Sequence, residues 1–232
     1  LYIVNQRSDG VYLETMDISP AVTDTSASYL THLDRKITNS TTGVSESYNS
    51  GTNQTTITIP YTKTNTLSLV GASTGSNQAG QEISIVSQTG TSVVVSGDIT
   101  SFDYFIGEDY TFTFTFSQQF IQEADAQGSR ISIKEGRLQI RNWSVNFNNT
   151  GFFTTLVQPV GRSSSSTTFT GTITGTGLLG TVNLADGDYA FAVQSESDKL
   201  TVTLASDSHL PCNFINASWQ GYYVTALSLI HI

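Results

Sequence analysis

Three features of the sequence predict an all-β chain: an alternating aromatic run, the lack of any sustained helical period, and turn residues recurring at strand-sized intervals. In Tyr110-Thr-Phe-Thr-Phe-Thr-Phe116, the residues Tyr110, Phe112, Phe114 and Phe116 share one face and Thr111, Thr113 and Thr115 the other. That is the period-two pattern of a half-buried strand. No window repeats apolar residues at the 3.6 spacing of a helix, and β-branched and aromatic side chains dominate instead. Gly- and Asn-bearing turns part the apolar runs every 8 to 12 residues or so, as in small barrels and sandwiches. Two regions are expected: residues 1–102, a hairpin, a connector and a small β-barrel or sandwich, and residues 103–232, a larger antiparallel β-sandwich, with almost no helix.

Leu1-Tyr-Ile-Val4 and Val11-Tyr-Leu-Glu-Thr-Met16, joined through Asp9-Gly10, predict a hairpin, because that pair accepts positive backbone angles. From Asp17 to Asn39, Pro20 and a Ser/Thr-rich run predict a loop, with Tyr29 to Arg35 as one helical turn or an extended connector. Strands are then expected at Gln54–Ile59, Leu67–Val70, Glu82–Val86 and Ser92–Ser96, with Pro60 marking a strand end because it cannot donate to a ladder.

In the second region Ile106 to Tyr110 leads into the aromatic strand. Phe120 to Gly128 is the best helix candidate, but it supports barely two turns and is read as a loop crossing. Further strands are predicted near 129–134, 137–147, 151–158, 167–174, 188–195, 199–205 and 221–230, with Arg162–Ser166 and Gly171–Gly177 as long hairpin loops. Leu138 and Ile140 have even parity, whereas Trp143, Val145 and Phe147 have odd parity. One regular strand cannot aim both sets at one core, so a β-bulge is predicted around Arg141-Asn142.

The 232 residues, 25.0 kDa, are enough to bury a substantial core, in one large domain or two small ones. Charged residues are only 12%, so Ser, Thr, Asn and Gly must carry solubility, a composition more common in secreted or virion β-proteins than in cytosolic enzymes. A net charge of -9 argues against a surface that coats nucleic acid, which requires a basic field. The single cysteine, Cys212, excludes an intrachain disulfide and is read as a small buried hydrophobe beside Pro211. No apolar run approaches the roughly 18 residues of a membrane span. Leu1-Tyr-Ile-Val4 lacks an initiator Met and a basic n-region, so no signal peptide is expected and the chain reads as a fragment beginning mid-protein. The sequons at Asn39, Asn53, Asn142, Asn148 and Asn216 are read as unglycosylated.

The catalytic readings fail individually. His32, His209 and His231 form no metal-ligand spacing. Asp207-Ser-His209 has the letters of a hydrolase triad, but adjacent residues of an extended chain point apart, and the segment is read as a solvated turn. Paired carboxylates can serve glycoside hydrolysis, which makes Glu108, Asp109, Glu123, Asp125, Asp186 and Asp188 the candidates for such a pair. Glu108-Asp109 and Asp186-Gly187-Asp188 read as solvated turns, the latter a hairpin tip too short for a calcium loop. No cofactor and no metal are expected. Four of the ten basic residues, Arg130, Lys134, Arg137 and Arg141, fall within twelve positions, and Arg137, Gln139 and Arg141 share a strand face. That face is a candidate subunit or partner interface, against the alternative of a solvated outer face with intrachain salt bridges.

The aromatic strand, then Gly136-Arg-Leu-Gln-Ile-Arg-Asn-Trp143, Asn149-Thr-Gly-Phe-Phe153, Leu178-Leu-Gly180, Gly187-Asp-Tyr-Ala-Phe-Ala-Val193, Leu210-Pro-Cys-Asn-Phe214 and Ala217-Ser-Trp-Gln-Gly-Tyr222 occur in a characteristic order. With Leu33-Asp34-Arg35 and the hairpin before it, this order resembles the C-terminal part of the tail nozzle proteins of short-tailed bacteriophages, also called tail tubular protein B. Gln220 stands where that family has an acid, and the apolar Leu229-Ile-His-Ile232 replaces a more basic ending. The resemblance implies a structural virion protein with no bond chemistry, present in the phage tail and assembled in the bacterial cytoplasm. It further implies a homo-oligomeric ring around the DNA exit channel, docked to a tail adaptor, with tail fibres as a further candidate partner. DNA would pass without specific binding, and the protein would have no membrane span. The adaptor or subunit interface is placed at Arg130, Lys134, Arg137 and Arg141. The rival is a carbohydrate- or receptor-binding β-sandwich of a phage tail, with exposed Trp143, Trp219, Tyr222 or Tyr223 stacking on sugars; a polysaccharide depolymerase is a third reading. Tryptophans inside the core favour the nozzle, and two or more solvent-exposed aromatics in a groove favour the sugar binder.

Overall fold

A computed structural model of the chain describes residues 1–7, 10–16, 29–75, 79–124, 126–133, 136–171 and 182–225. The readings that concern Asp9, residues 17–28, Asp125, Lys134, Leu178–Gly180, the tract after Gly171 and the segment 226–232 lie outside them. In the described residues the structure is β throughout, with one 3₁₀ turn at Ser197–Lys199 and no α-helix. The chain divides into two compact units, Leu1–Tyr110 with Thr174–Asn183 and Ser208–Pro211, and Thr111–Ile173 with Leu184–Asp207 and Cys212–Ile232.

The first unit opens with an antiparallel hairpin, β1 (Tyr2–Arg7) and β2 (Gly10–Thr15), with Val4 opposite Leu13. Seven further strands, all antiparallel, follow: β3 (Asp34–Thr38), β4 (Ser45–Asn49), β5 (Gln54–Thr58), β6 (Leu67–Gly75), β7 (Ile85–Thr89), β8 (Ser92–Ser96) and β9 (Phe102–Glu108). They form two sheets, ordered β3-β9-β6 and β4-β5-β8-β7. Ile57, Val93 and Val95 from one sheet and Leu69, Tyr104 and Ile106 from the other make a single core, so the expected small barrel or sandwich is a sandwich. Each such side chain contributes roughly 1.5–3 kcal/mol by leaving water. Tyr104 donates its hydroxyl proton to Glu46 Oε1 at 2.6 Å, which lets an aromatic ring end inside the core with its polar tip satisfied.

The structure departs from expectation at four places in this unit. β9 pairs with both β3 and β6, so the first unit runs to Tyr110 instead of ending at the expected 102/103. The connector before Asn39 contains β3, whose register breaks between Asp34 and Ile37, with Arg35 at φ 50. β4 carries no apolar alternation because Ser-Glu-Ser-Tyr-Asn is an edge strand with mostly exposed side chains. β7 begins at Ile85, while Glu82 makes only an isolated bridge to Val70.

The second unit packs the sheet β10-β17-β14-β15 on the sheet β16-β13-β18. Their strands are β10 (Phe112–Thr115), β13 (Arg137–Thr150), β14 (Phe152–Pro159), β15 (Ser165–Thr170), β16 (Ala185–Glu196), β17 (Leu200–Ser206) and β18 (Asn213–Val224). Between β10 and β13, Phe120–Gly128 is a hairpin and not a loop crossing: β11 (Ile121–Ala124) pairs with β12 (Arg130–Ile133). β18 starts eight residues earlier than the predicted 221 because its first half alternates weakly and is largely exposed. The core joins Ile140, Trp143, Val145, Val157, Phe191 and Leu204. A second cluster continues it, in which Phe153 meets Phe147 at 5.6 Å, Phe169 at 5.0 Å and Phe214 at 5.2 Å between ring centroids. The aromatic strand is an edge: Phe116 packs on Trp143 at 4.9 Å, but Phe114 remains 49% exposed.

The predicted bulge is present. Ile140 faces Gly221 and Asn142 faces Gln220, so β13 holds one residue, Arg141, with no counterpart on β18. On the other side Ile140 faces Ser195 and Asn142 faces Ala192, so there β16 holds the extra residue, and Gln194 takes φ 49. One slip thus crosses all three strands and brings Ile140 and Trp143 onto the same core despite their opposite parity. Gly221 is required at this crossing, because a Cβ there would lie 2.4 Å from the carbonyl oxygen of Gln139.

Candidate assembly surfaces

The basic segment lies on β12 and at the start of β13. Arg130 is exposed on β12. Arg137 places Nε 3.0 Å from Glu196 Oε1, and Lys199 reaches the other oxygen of the same carboxylate at 2.5 Å. The Lys199 hydrogen bond and then Arg137 hold the Glu196 carboxyl below the usual range. Past Gln139, Arg141 donates to the hydroxyl of Tyr222 at 2.8 Å, with its guanidinium 5.4 Å from the ring centre. Arg137, Gln139 and Arg141 share the face opposite Leu138 and Ile140, and all three are exposed. The structure therefore brings Arg137 and Arg141 together on one outer face, both already oriented by intrachain partners. Beside them a polar groove of about 350 Å³ is lined by Gln119, Phe120, Arg137, Asp198 and Tyr223, among others.

A second groove in the same unit, about 500 Å³, opens where the two sheets part at β10 and β18, each an edge strand. Phe112, Phe114, Phe214, Ile215 and Ala217 line it, with Cys212 at its margin and no charged side chain in its lining. Cys212 is half-buried, and burial pushes its thiol above the ordinary value.

Sequence reasoning missed a buried polar cluster in the first unit. Glu108, expected in a solvated turn, is buried at the end of β9. Its Oε1 accepts from Thr64 N at 2.8 Å and faces Arg35 Nη1 at 3.3 Å, and its Oε2 accepts from Thr64 Oγ1 at 2.7 Å. Burial works against the charge, yet the two Thr64 bonds and then Arg35 and Arg7 outweigh it and hold the carboxyl below its usual range. Arg35 stacks over Tyr61 at 3.9 Å and over Tyr12 of the hairpin at 5.3 Å, and Arg7 bridges Glu14 at 2.7 Å. Burial, then Glu108, pushes the Tyr61 hydroxyl up to about 12. The available signal was Leu33-Asp34-Arg35, but nothing local links it to position 108. His209, Asp186 and Asp188 likewise make structural contacts. His209 is no solvated turn residue: its Nε2 lies 3.1 Å from the carbonyl of Gly80, and burial lowers its basicity. Asp186 and Asp188 begin a strand instead of forming a hairpin tip, accepting from Asn149 N at 2.7 Å and Asn146 Nδ2 at 3.1 Å. Among the described residues no group of three or more His, Cys, Asp or Glu is placed to hold a metal ion, and no helix is long and apolar enough to cross a membrane.

Tail tubular protein gp12 of Escherichia phage T7 is 33% identical to this chain over 132 residues, which is 56% of the chain and 16% of that protein. The chain thus matches only about a sixth of this relative's length. The family model described as bacteriophage nozzle protein matches residues 1–229. With that match spanning both sandwiches, their bulge and their aromatic edge, the chain belongs to the bacteriophage nozzle protein family.

Proposed function

We propose that the chain is a structural, non-enzymatic part of the phage tail. In this reading it belongs to a ring of identical nozzle subunits around the path by which DNA leaves the virion, attached to a tail adaptor and assembled in the bacterial cytoplasm. The observation that carries the reading is the family match across residues 1–229, which takes in both β-sandwich units. Two physical features support it. A chain of net charge -9 gives phosphates little to hold, so DNA slides past such a surface with low friction. Trp143 is 2% exposed and Trp219 half-buried, which removes the two tryptophans as a sugar-stacking platform.

Within this function Arg130, Lys134, Arg137 and Arg141 form the subunit or adaptor contact. Arg137 and Arg141 are pre-oriented by Glu196 and Tyr222, so little side-chain freedom is lost when an acidic partner pairs with them. The test is to make phage carrying Arg137→Glu together with Arg141→Glu. Impaired ring assembly or adaptor docking, with the chain still folded by circular dichroism, is expected. Particles that assemble and infect normally would reduce the segment to a solvated face.

A further inference from the structure

The sheet β16-β13-β18 ends in two long edges. β16 and β18 have 12 residues each, about twice the usual strand length, and no described strand pairs with the outer side of either. Such an edge presents a row of free backbone N–H and C=O groups, which proteins normally guard with charge, proline, a bulge or brevity. In β18 the run Asn213-Phe-Ile-Asn-Ala-Ser-Trp-Gln-Gly-Tyr-Tyr-Val224 holds no charged residue and no proline, and its one extra residue, Ile215, sits near one end. Asn216–Val224 is left unguarded. β16 is guarded mainly at its ends, by Asp186 and Asp188 and by Arg162, which donates to the carbonyl of Gln194 at 2.7 Å. Between them Ala190 and Ala192 lie exposed on the outer face. Alanine is depleted from strands, and two of them at alternate positions leave this edge open to close approach by another backbone.

We infer that β18 of one subunit adds to the β16 edge of the next copy of the chain, so that this sheet runs on from subunit to subunit. Direction and length fit that occupant. β16 and β18 are both antiparallel to β13 and so run the same way, and a rotation that keeps strand direction brings them together as a parallel pair of matched length. Charge fits it too. The next copy's β16 carries Asp186, Asp188 and Glu196 to the outer face that holds Arg137 and Arg141, beside a β18 that has no acid of its own to offer them. Two β18 strands paired with each other would bring no acid and would close at two subunits, whereas opposite edges of one sheet make the heterologous contact that a ring requires. The edges of the facing sheet, β10 with 4 residues and β15 with 6, offer a shorter ladder. This inference rests on the ring reading and the arginine contact above, and names the backbone that joins the subunits.

The test uses the full-length protein with Cys212→Ser, which removes the only cysteine of this chain. One preparation carries Gln220→Cys on β18; a second carries Asp188→Cys, Ala190→Cys or Ala192→Cys on the same face of β16. No chain holds both new thiols, so any disulfide between them joins two subunits. After the preparations are mixed, assembled and oxidised, peptide mass spectrometry is expected to find position 220 joined to one of the three β16 positions. Thr52→Cys, in an exposed turn, replaces the β16 cysteine as the control and should give no link. In the wild type, hydrogen exchange along Asn216–Val224 is expected to slow at least about tenfold when subunits assemble. An assembled ring in which position 220 joins only another position 220, or no β16 position, overturns the inference and leaves the ring reading standing. Exchange along β18 that is already as slow before assembly shows that another segment of the same chain covers this edge, and overturns it equally. A wild-type protein that is monomeric at every concentration overturns both readings.

Discussion

The guanidinium of Arg35 and the carboxylate of Glu108 meet at 3.3 Å with their side chains only 6% and 1% exposed, although they are 73 positions apart in sequence. Removing one partner would strand the other charge out of water. Glu108→Gln is therefore expected to cost about 3–5 kcal/mol, the range for breaking a buried pair from one side. Urea denaturation reads it directly. A loss under about 1 kcal/mol would mean that Thr64 and water satisfy the site without the pair.

Acid should loosen the first unit in two stages. His32 and His209 are both held below the ordinary value of 6.5, chiefly by burial, so the unfolded chain binds more protons than the folded one as pH falls through 6.5. Their stability contribution is complete above that pH and is lost below it. Glu108, held below its ordinary 4.5, adds a further loss once pH falls under that value. Melting curves on the wild type and on His32→Gln with His209→Gln should show a flatter first stage in the double variant. An identical slope in both would assign the first stage to other groups.

The two tryptophans should differ. Trp143 lies across from Phe191 on one side and Trp219 on the other and packs on Phe116, so Trp143→Ala is expected to cost about 3–5 kcal/mol. Trp219 is only half-buried on β18, and its loss should stay nearer 1.5–3 kcal/mol. Equal costs in denaturant titrations would show that the outer tryptophan is covered in solution.

Gly221→Ala is expected to destabilise the second unit by about 1–3 kcal/mol, since the new methyl would meet the backbone oxygen of Gln139, which cannot turn away as a side chain can. Hydrogen exchange would locate the damage on the β13–β18 pairing, and unchanged protection there would refute a tight crossing.

Much of this protein was legible from sequence. Alternation in Tyr110–Phe116 and in Ser92–Ser96 sets which side chains share a face, and that is a property of the extended backbone alone. The parity break between Ile140 and Trp143 demanded a bulge for the same reason, since no regular strand aims both at one core. Order of short motifs carried the family, and Trp219-Gln-Gly-Tyr222 contains the glycine that the bulge crossing requires.

What only the tertiary structure decided is who lies opposite whom. β4 was invisible because an edge strand needs no apolar alternation, and β9 fell to the wrong side of the boundary because pairing with β3 and β6 is non-local. Glu108 read as a turn residue, since its letters match one; long-range pairing brings Arg35 and Thr64 to it and makes its burial tolerable. Local preference acts through a residue's own backbone and near neighbours, whereas desolvation and charge act through whatever the fold places within a few ångströms.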